Sequence, residues 1–130
     1  MKTVFLIDDD PDDREIFQES LALEHPSVLC QQAENGAAAF EKVRSGFFAK
    51  PDLIFLDLNM PIMDGRAFLK QIKADSKFKD IPVIIYSTSS SEADKKFAQE
   101  NHAAAFLSKQ YSLSLIRQDI QKAVQNFLQL

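Results

Sequence analysis

Short runs of apolar, β-favouring residues recur along the chain, at Thr3 to Ile7, Leu53 to Leu56, Val83 to Tyr86 and, more weakly, Ala104 to Leu107. Strands apolar on both faces belong to a parallel sheet covered by helices on each side. Val28 to Ala33 is more polar and reads as an edge strand. Helical patterns fill the gaps. Asp12 or Asp13 can cap a helix carrying Ile16, Phe17, Leu21 and Leu23, before Pro26. An alanine-rich helix over 36–44 stops at Gly46, and one over 64–74 carries Phe68, Leu69 and Ile72. A charged helix over 91–101 has Ala93, Phe97 and Ala98 on its apolar side. The last helix shows Leu113, Ile116, Ile120, Val124 and Phe127 at helical spacing. The order is strand then helix, five times over. This predicts an α/β fold, a doubly wound (βα)5 three-layer sandwich around a parallel five-stranded sheet with right-handed crossovers. At 130 residues, one domain over 1–130 uses the whole chain.

The acidic residues fall at strand ends. Asp8, Asp9 and Asp10 follow the first strand, and Asp57 follows the third. In open parallel sheets, sites form beyond the carboxyl ends of strands where the strand order reverses. In the flavodoxin-like order 2-1-3-4-5 that crevice lies between strands one and three, with these aspartates on both lips. Crowded carboxylates repel and raise one another's pKa, a conflict that a hard divalent cation such as Mg²⁺ or Mn²⁺ resolves. The simpler alternative, an acidic loop at the positive end of a helix, leaves Asp57 unexplained. Ser87 closes the fourth strand with a hydroxyl, and Lys109 closes the fifth with a compact positive charge. Each alone reads as a turn serine or a surface lysine. Together with a carboxylate nucleophile and a cation they compose a phosphoryl-transfer site, where catalysis is positioning and charge neutralisation.

Other classes fit poorly. A net charge of −4 and no basic stripe argue against a nucleic-acid partner. Cys30 is the sole cysteine, so no internal disulfide forms, and its apolar neighbours Val28 and Leu29 mark it as a core thiol. No run approaches the ~18 apolar residues of a membrane span, and Asp8 to Asp10 cut the opening run too short for a signal-peptide core. The simplest reading is a cytoplasmic protein with no membrane contact. A flavin carrier would need a phosphate-cradling first loop, whereas Asp8-Asp9-Asp10-Pro11-Asp12-Asp13 repels phosphate unless a metal intervenes. A dehalogenase-type phosphatase would need a second aspartate just after Asp57, where Leu58 and Asn59 stand. His25 and His102 are isolated and read as surface residues.

Several segments carry a resemblance. Phe5-Leu6-Ile7-Asp8-Asp9-Asp10, Asp52-Leu53-Ile54-Phe55-Leu56-Asp57-Leu58-Asn59-Met60-Pro61 and Met63-Asp64-Gly65 resemble the response-regulator receiver family. Ile81-Pro82-Val83-Ile84-Ile85-Tyr86-Ser87 and Phe106-Leu107-Ser108-Lys109 extend the match over essentially the whole chain. The Asp12-Asp13-Arg14 opening and Ser87-Thr88-Ser89 look most like single-domain regulators, including those serving phytochrome-type kinases. The resemblance implies a signalling domain rather than an enzyme acting on a free substrate. Asp57 would accept phosphate from a histidine kinase or a histidine phosphotransfer protein. Asp9 and Asp57 would be direct metal ligands, Asp8 a ligand through water, and the Asn59 backbone carbonyl a further ligand. Ser87 would be the switch hydroxyl, Lys109 the phosphoryl contact and Phe106 the aromatic switch. Intact Asp8, Asp9, Asp57, Ser87 and Lys109 argue against a receiver-like module that never takes phosphate.

With no output domain expected, the signal would pass by docking on a target protein or by handing the phosphoryl group on. The expected output face joins the fourth helix, fifth strand and fifth helix. It also offers a homodimer surface, because Leu115, Leu128 and Leu130 lie outside the core stripe. Pro61 should restrict the loop after Asn59, and Gly65 should allow a positive φ or close packing. The family usually has proline after the lysine; here Gln110 follows Lys109. Without proline a cis bond costs about 3–4 kcal/mol, so a trans bond is expected.

Overall fold

The computed structural model describes residues 2–46 and 50–130. Strand and helix alternate: β1 (Thr3–Ile7), α1 (Pro11–Glu24), β2 (Leu29–Ala33), α2 (Gly36–Ser45), β3 (Leu53–Leu56), α3 (Gly65–Ala74), β4 (Val83–Ser87), α4 (Glu92–Glu100), β5 (Ala105–Ser108) and α5 (Leu113–Leu128). The sheet has five strands in the order β2-β1-β3-β4-β5. Every neighbouring pair is parallel. β2 and β5 are therefore the edges, which is why β2 tolerates Gln31 and Gln32 and why neither edge is as buried as the strands between them.

Alternation along each strand divides the core between two faces. Phe5, Ile7, Ile54, Leu56, Val83 and Ile85 pack with Ala39 of α2, Phe68, Leu69 and Ile72 of α3 and Ala98 of α4. Val4, Leu6, Leu53, Phe55, Ile84 and Tyr86 pack with Phe17 and Leu21 of α1 and Ile120, Val124 and Leu128 of α5. Each fully buried side chain of this size contributes roughly 1.5–3 kcal/mol. The three central strands thus hold a rigid platform. The Phe17 ring meets Phe55 edge-on at 4.8 Å, fixing α1 against it.

The structure corrects several details. The α1 cap is Asp10 rather than Asp12 or Asp13; its carboxylate accepts from Asp12 N at 2.9 Å and Asp13 N at 3.4 Å. Pro11 then takes the first helical position, where its missing N–H costs nothing. The buried stripe of α1 runs through Phe17, Ser20 and Leu21 and leaves Leu23 exposed, because Leu23 lies two residues past Leu21, about 200° around the helix. Ser20 is tolerated there because its hydroxyl donates to Ile16 O at 2.7 Å. Ala93 of α4 is exposed. In α5 the stripe runs through Ile116, Ile120, Ala123, Val124 and Leu128, with Leu113 and Phe127 outside it. Leu128 is therefore core rather than a spare surface residue, while Leu115 and Leu130 are exposed as expected. Cys30 is only half-buried, although burial still pushes its thiol up to about 11, which leaves it unreactive. No helix among the described residues is long and apolar enough to cross a membrane.

Gly65 has its reason in close approach. A Cβ there would lie 2.1 Å from the Asp57 carbonyl oxygen and 2.7 Å from Leu58 Cα. Gly65 N donates to Leu58 O at 3.0 Å, which seats the start of α3 directly on the end of β3. By contrast, Gly46 has φ +74 and open space around it. Gly65→Ala should cost roughly 2–3 kcal/mol through overpacking against backbone, and Gly46→Ala about 1 kcal/mol through strain alone. Urea midpoints of the two variants test this ordering; equal losses would contradict it.

Candidate functional site

The carboxylates are delivered by backbone pairing. Ile7 and Leu56 are register partners at the ends of β1 and β3. Asp57 N donates to Ile7 O at 2.9 Å, and Asp8 N donates to Ala33 O at 3.1 Å. Asp8 and Asp57 are thus fixed side by side where β1 lies between β2 and β3. One carboxylate oxygen from each of Asp8, Asp9 and Asp57 lies within 4.8 Å of the others. Asp8 is 1% exposed and Asp57 7%, while Asp9 faces solvent. All-oxygen donors at this spacing fit a hard divalent cation that retains part of its water shell.

Burial sets the electrostatics. Asp8 is raised to about 6, chiefly by desolvation, against the hydrogen bonds it accepts from Lys109 and Asp10 N. Asp57 is also raised by burial, opposed by Lys109 and by Asn59 N, which donates to its Oδ1 at 3.2 Å. Among the described residues, the cation paired with these carboxylates is Lys109. Its Nζ lies 2.7 Å from Asp8 Oδ2, 2.8 Å from Asp13 Oδ2 and 3.7 Å from Asp57 Oδ2, with its side chain 8% exposed. Burial lowers the lysine's pKa, but hydrogen bonds to Asp13 and Asp8 outweigh it and hold the ammonium above its ordinary value. The Tyr86 ring centroid is 5.5 Å from the same nitrogen. Lys109 N donates to Ser87 O at 2.8 Å, which anchors the lysine's backbone to the end of β4. The Lys109–Gln110 bond is trans, as expected without proline.

Ser87 is fully buried at the end of β4. Its hydroxyl accepts from Ser89 N at 3.3 Å and helps to lower the Asp57 pKa by hydrogen bonding. Thr88 beside it is exposed. The predicted residues Asp8, Asp9, Asp57, Ser87 and Lys109 therefore come together. Phe106 does not join them: it is half-buried on β5, opposite Ile85, and packs against the core. Asn59 reaches Asp57 through its N–H.

Sequence reasoning missed three features. The sequence offers Asp13 only as a candidate helix cap, yet it contacts Lys109; its place in the first turn of a helix that starts soon after β1 is the available signal. Tyr86 is legible in the sequence only as a strand residue, yet its ring lies against the Lys109 ammonium. Arg66 at the start of α3 donates to Asp94 of α4 at 2.6 Å, and Asp94 also accepts from Ser89 Oγ at 2.5 Å. These bonds, Ser89's first, hold the Asp94 carboxyl below its usual value and tie the loop after β4 to two helices. Nearby, Ile62 has φ +69 and is 85% exposed, an unfavourable conformation for a β-branched residue.

Comparison with known proteins places this geometry. Residues 4–121 match the model of the response regulator receiver domain family. The response regulator Rcp1 of Synechocystis is 33% identical over 129 residues, covering 95% of this chain and 84% of that protein. The crystal structure of the phosphorylated cyanobacterial phytochrome response regulator RcpA superposes with a TM-score of 0.93 at 33% identity, covering 98% of this chain and 94% of that one. The Mn(2+)-bound form of Rcp1 gives 0.89 at 30% identity, with coverages of 98% and 94%.

The raised Asp8 pKa implies a pH dependence. The folded protein holds the Asp8 proton more tightly than the unfolded chain, whose value is 3.8, because the folded value is about 6. Its contribution to stability is therefore full below about pH 4 and is lost as pH rises through about 6. In chelator, this residue should cost the protein roughly 2 kcal/mol between pH 4 and 7. Asp57 acts in the same direction. Urea unfolding of wild type and Asp8→Asn across this range should show the variant gaining on wild type as pH rises; parallel curves would contradict the assignment.

Proposed function

The chain belongs to the response regulator receiver domain family, and from that premise we propose that Asp57 accepts a phosphoryl group from a histidine kinase or histidine phosphotransfer protein. The observation that carries this reading is the meeting of Asp57, Lys109 and Ser87 with the buried Asp8 at one end of the sheet. An Asp57 oxygen forms the new bond to phosphorus as the bond to the donor's leaving atom breaks, with the two roughly in line. The Lys109 ammonium, 3.7 Å from Asp57 Oδ2, offsets charge on the phosphoryl oxygens. Ser87 donates its hydroxyl hydrogen to one of them. Asp8, Asp9 and Asp57, with the Asn59 backbone carbonyl, would hold the divalent cation, Mg²⁺ in this reading. Bound there, it would neutralise phosphoryl charge. That the relative Rcp1 has a Mn(2+)-bound form supports a divalent cation here, and the acidic trio is the group that could hold it. The chemistry is acceptance and loss of one phosphoryl group by a signalling domain, without turnover of a free substrate.

Receivers of this kind interact with histidine kinases and downstream targets. The similarity to RcpA and Rcp1 makes a phytochrome-type kinase the first donor to test. The proposed output surface is α4, β5 and α5, where Leu113 and Leu115 are exposed. Movement of Ser87 toward a phosphoryl group vacates space that Phe106 fills, a shift between two packings.

Treatment with acetyl phosphate and Mg²⁺ should add one phosphoryl group by mass spectrometry. Asp57→Asn should abolish the label, Asp9→Asn should weaken it, and chelator should prevent it in wild type. A label persisting in Asp57→Asn would refute the acceptor assignment.

Beryllofluoride with Mg²⁺ should shift the amide resonances of Leu115 and of residues 91–107 as well as those around Asp57. Perturbation confined to the site would remove this face as the output.

A further inference from the structure

Lys109 has to place one small charge at the end of a long stem with several rotatable bonds. Its backbone is set by the bond to Ser87 O, but that leaves the side chain free to swing. Gln110 and a trans bond add no ring to limit it. An ammonium has three N–H donors. Here Asp8 at 2.7 Å and Asp13 at 2.8 Å take hydrogen bonds, while Asp57 at 3.7 Å lies within ion-pair range but beyond hydrogen-bond range.

We propose that Asp13 is a positioning residue that holds Lys109 aimed at the gap beside Asp57, an assignment that rests on the phosphoacceptor reading above. The two carboxylates that grip the ammonium differ in their other duties. Asp8 belongs to the trio within 4.8 Å of one another, so it is shared between the lysine and whatever cation that trio holds. Asp13 is outside the trio and contacts the lysine alone among the site's charged groups. It therefore keeps its grip when Asp8 is engaged elsewhere. Its own placement is firm, because the Asp10 cap and Pro11 start α1 where the first turn carries Asp13 across to the end of β5. Asp12 sits in the same first turn and gives the same favourable charge at the helix start, without the lysine contact.

The test compares Asp13→Asn, Asp13→Glu, Asp12→Asn and Lys109→Ala. Loss of one charge-assisted bond to the ammonium should slow labelling by acetyl phosphate at saturating Mg²⁺ by about tenfold. Asp13→Glu should restore most of the rate, and Asp12→Asn should leave it unchanged. Asp13→Asn should slow Lys109→Ala no further. In metal-free, unphosphorylated protein, the Lys109 side-chain ¹⁵N resonance should move in Asp13→Asn and stay in place in Asp12→Asn. A wild-type or faster rate in Asp13→Asn, or an added loss on top of Lys109→Ala, would overturn the proposal. If wild type itself takes no label on Asp57, the phosphoacceptor reading falls. The resonance then decides the tether alone, and an unmoved Lys109 signal refutes it.

Discussion

The site depends on two carboxylates held almost out of water beside one buried ammonium. Asp8 and Asp57 sit at the adjacent ends of β1 and β3, and neither can move away because its backbone N–H is committed to a neighbouring strand. Burial disfavours their charge, and Lys109 only partly offsets it. The site is therefore short of positive charge. That shortage makes it receptive to a divalent cation, and with one in place to an anionic phosphoryl donor. A buried charge group of this kind is weak evidence for stability and stronger evidence for function, since an apolar replacement would cost the fold less.

Such a group needs a rigid frame. The central strands are buried on both faces, with α1 and α5 covering one side and α2, α3 and α4 the other. Parallel register brings every strand's carboxyl end to the same edge, so residues distant in sequence become neighbours there. Gly65 lets α3 start against the Asp57 carbonyl, and the bond from Gly36 N to Met63 O at 2.9 Å pins the intervening loop to α2. On the other side, the Arg66–Asp94–Ser89 bonds connect α3, α4 and the loop after β4. A change at Ser87 thus has a continuous set of polar contacts leading to α4, the kind of two-sided connection through which a local charge can bias a wider packing.

Much of this was legible in the sequence because it follows from local pattern. Doubly buried strands must be apolar throughout, so their runs stood out, and alternation with helices dictated a doubly wound sheet. The strand-end positions of Asp8, Asp9, Asp57, Ser87 and Lys109 then followed from topology. Details that depend on helix phase were less legible. Leu113 and Phe127 fit a helical series as well as Ala123 and Leu128 do, and only the placement of α5 against α1 and β3 selects among them. The α1 cap turned on whether Asp10, Asp12 or Asp13 precedes the first turn, and three aspartates around one proline look alike until the backbone is laid down.

The sequence by itself determined the class of fold, the order of its elements, the acidic trio and the lysine and hydroxyl that face it. These depend on residue type and on position relative to strands, and both can be read along the chain. Only the tertiary structure decided which aspartates hold Lys109, that Tyr86 lies beneath it, and that Arg66 reaches Asp94. Those contacts join α1 to β5, β4 to β5 and α3 to α4. They are set by how whole elements pack, to within a distance of one hydrogen bond, and no local pattern of residues encodes that.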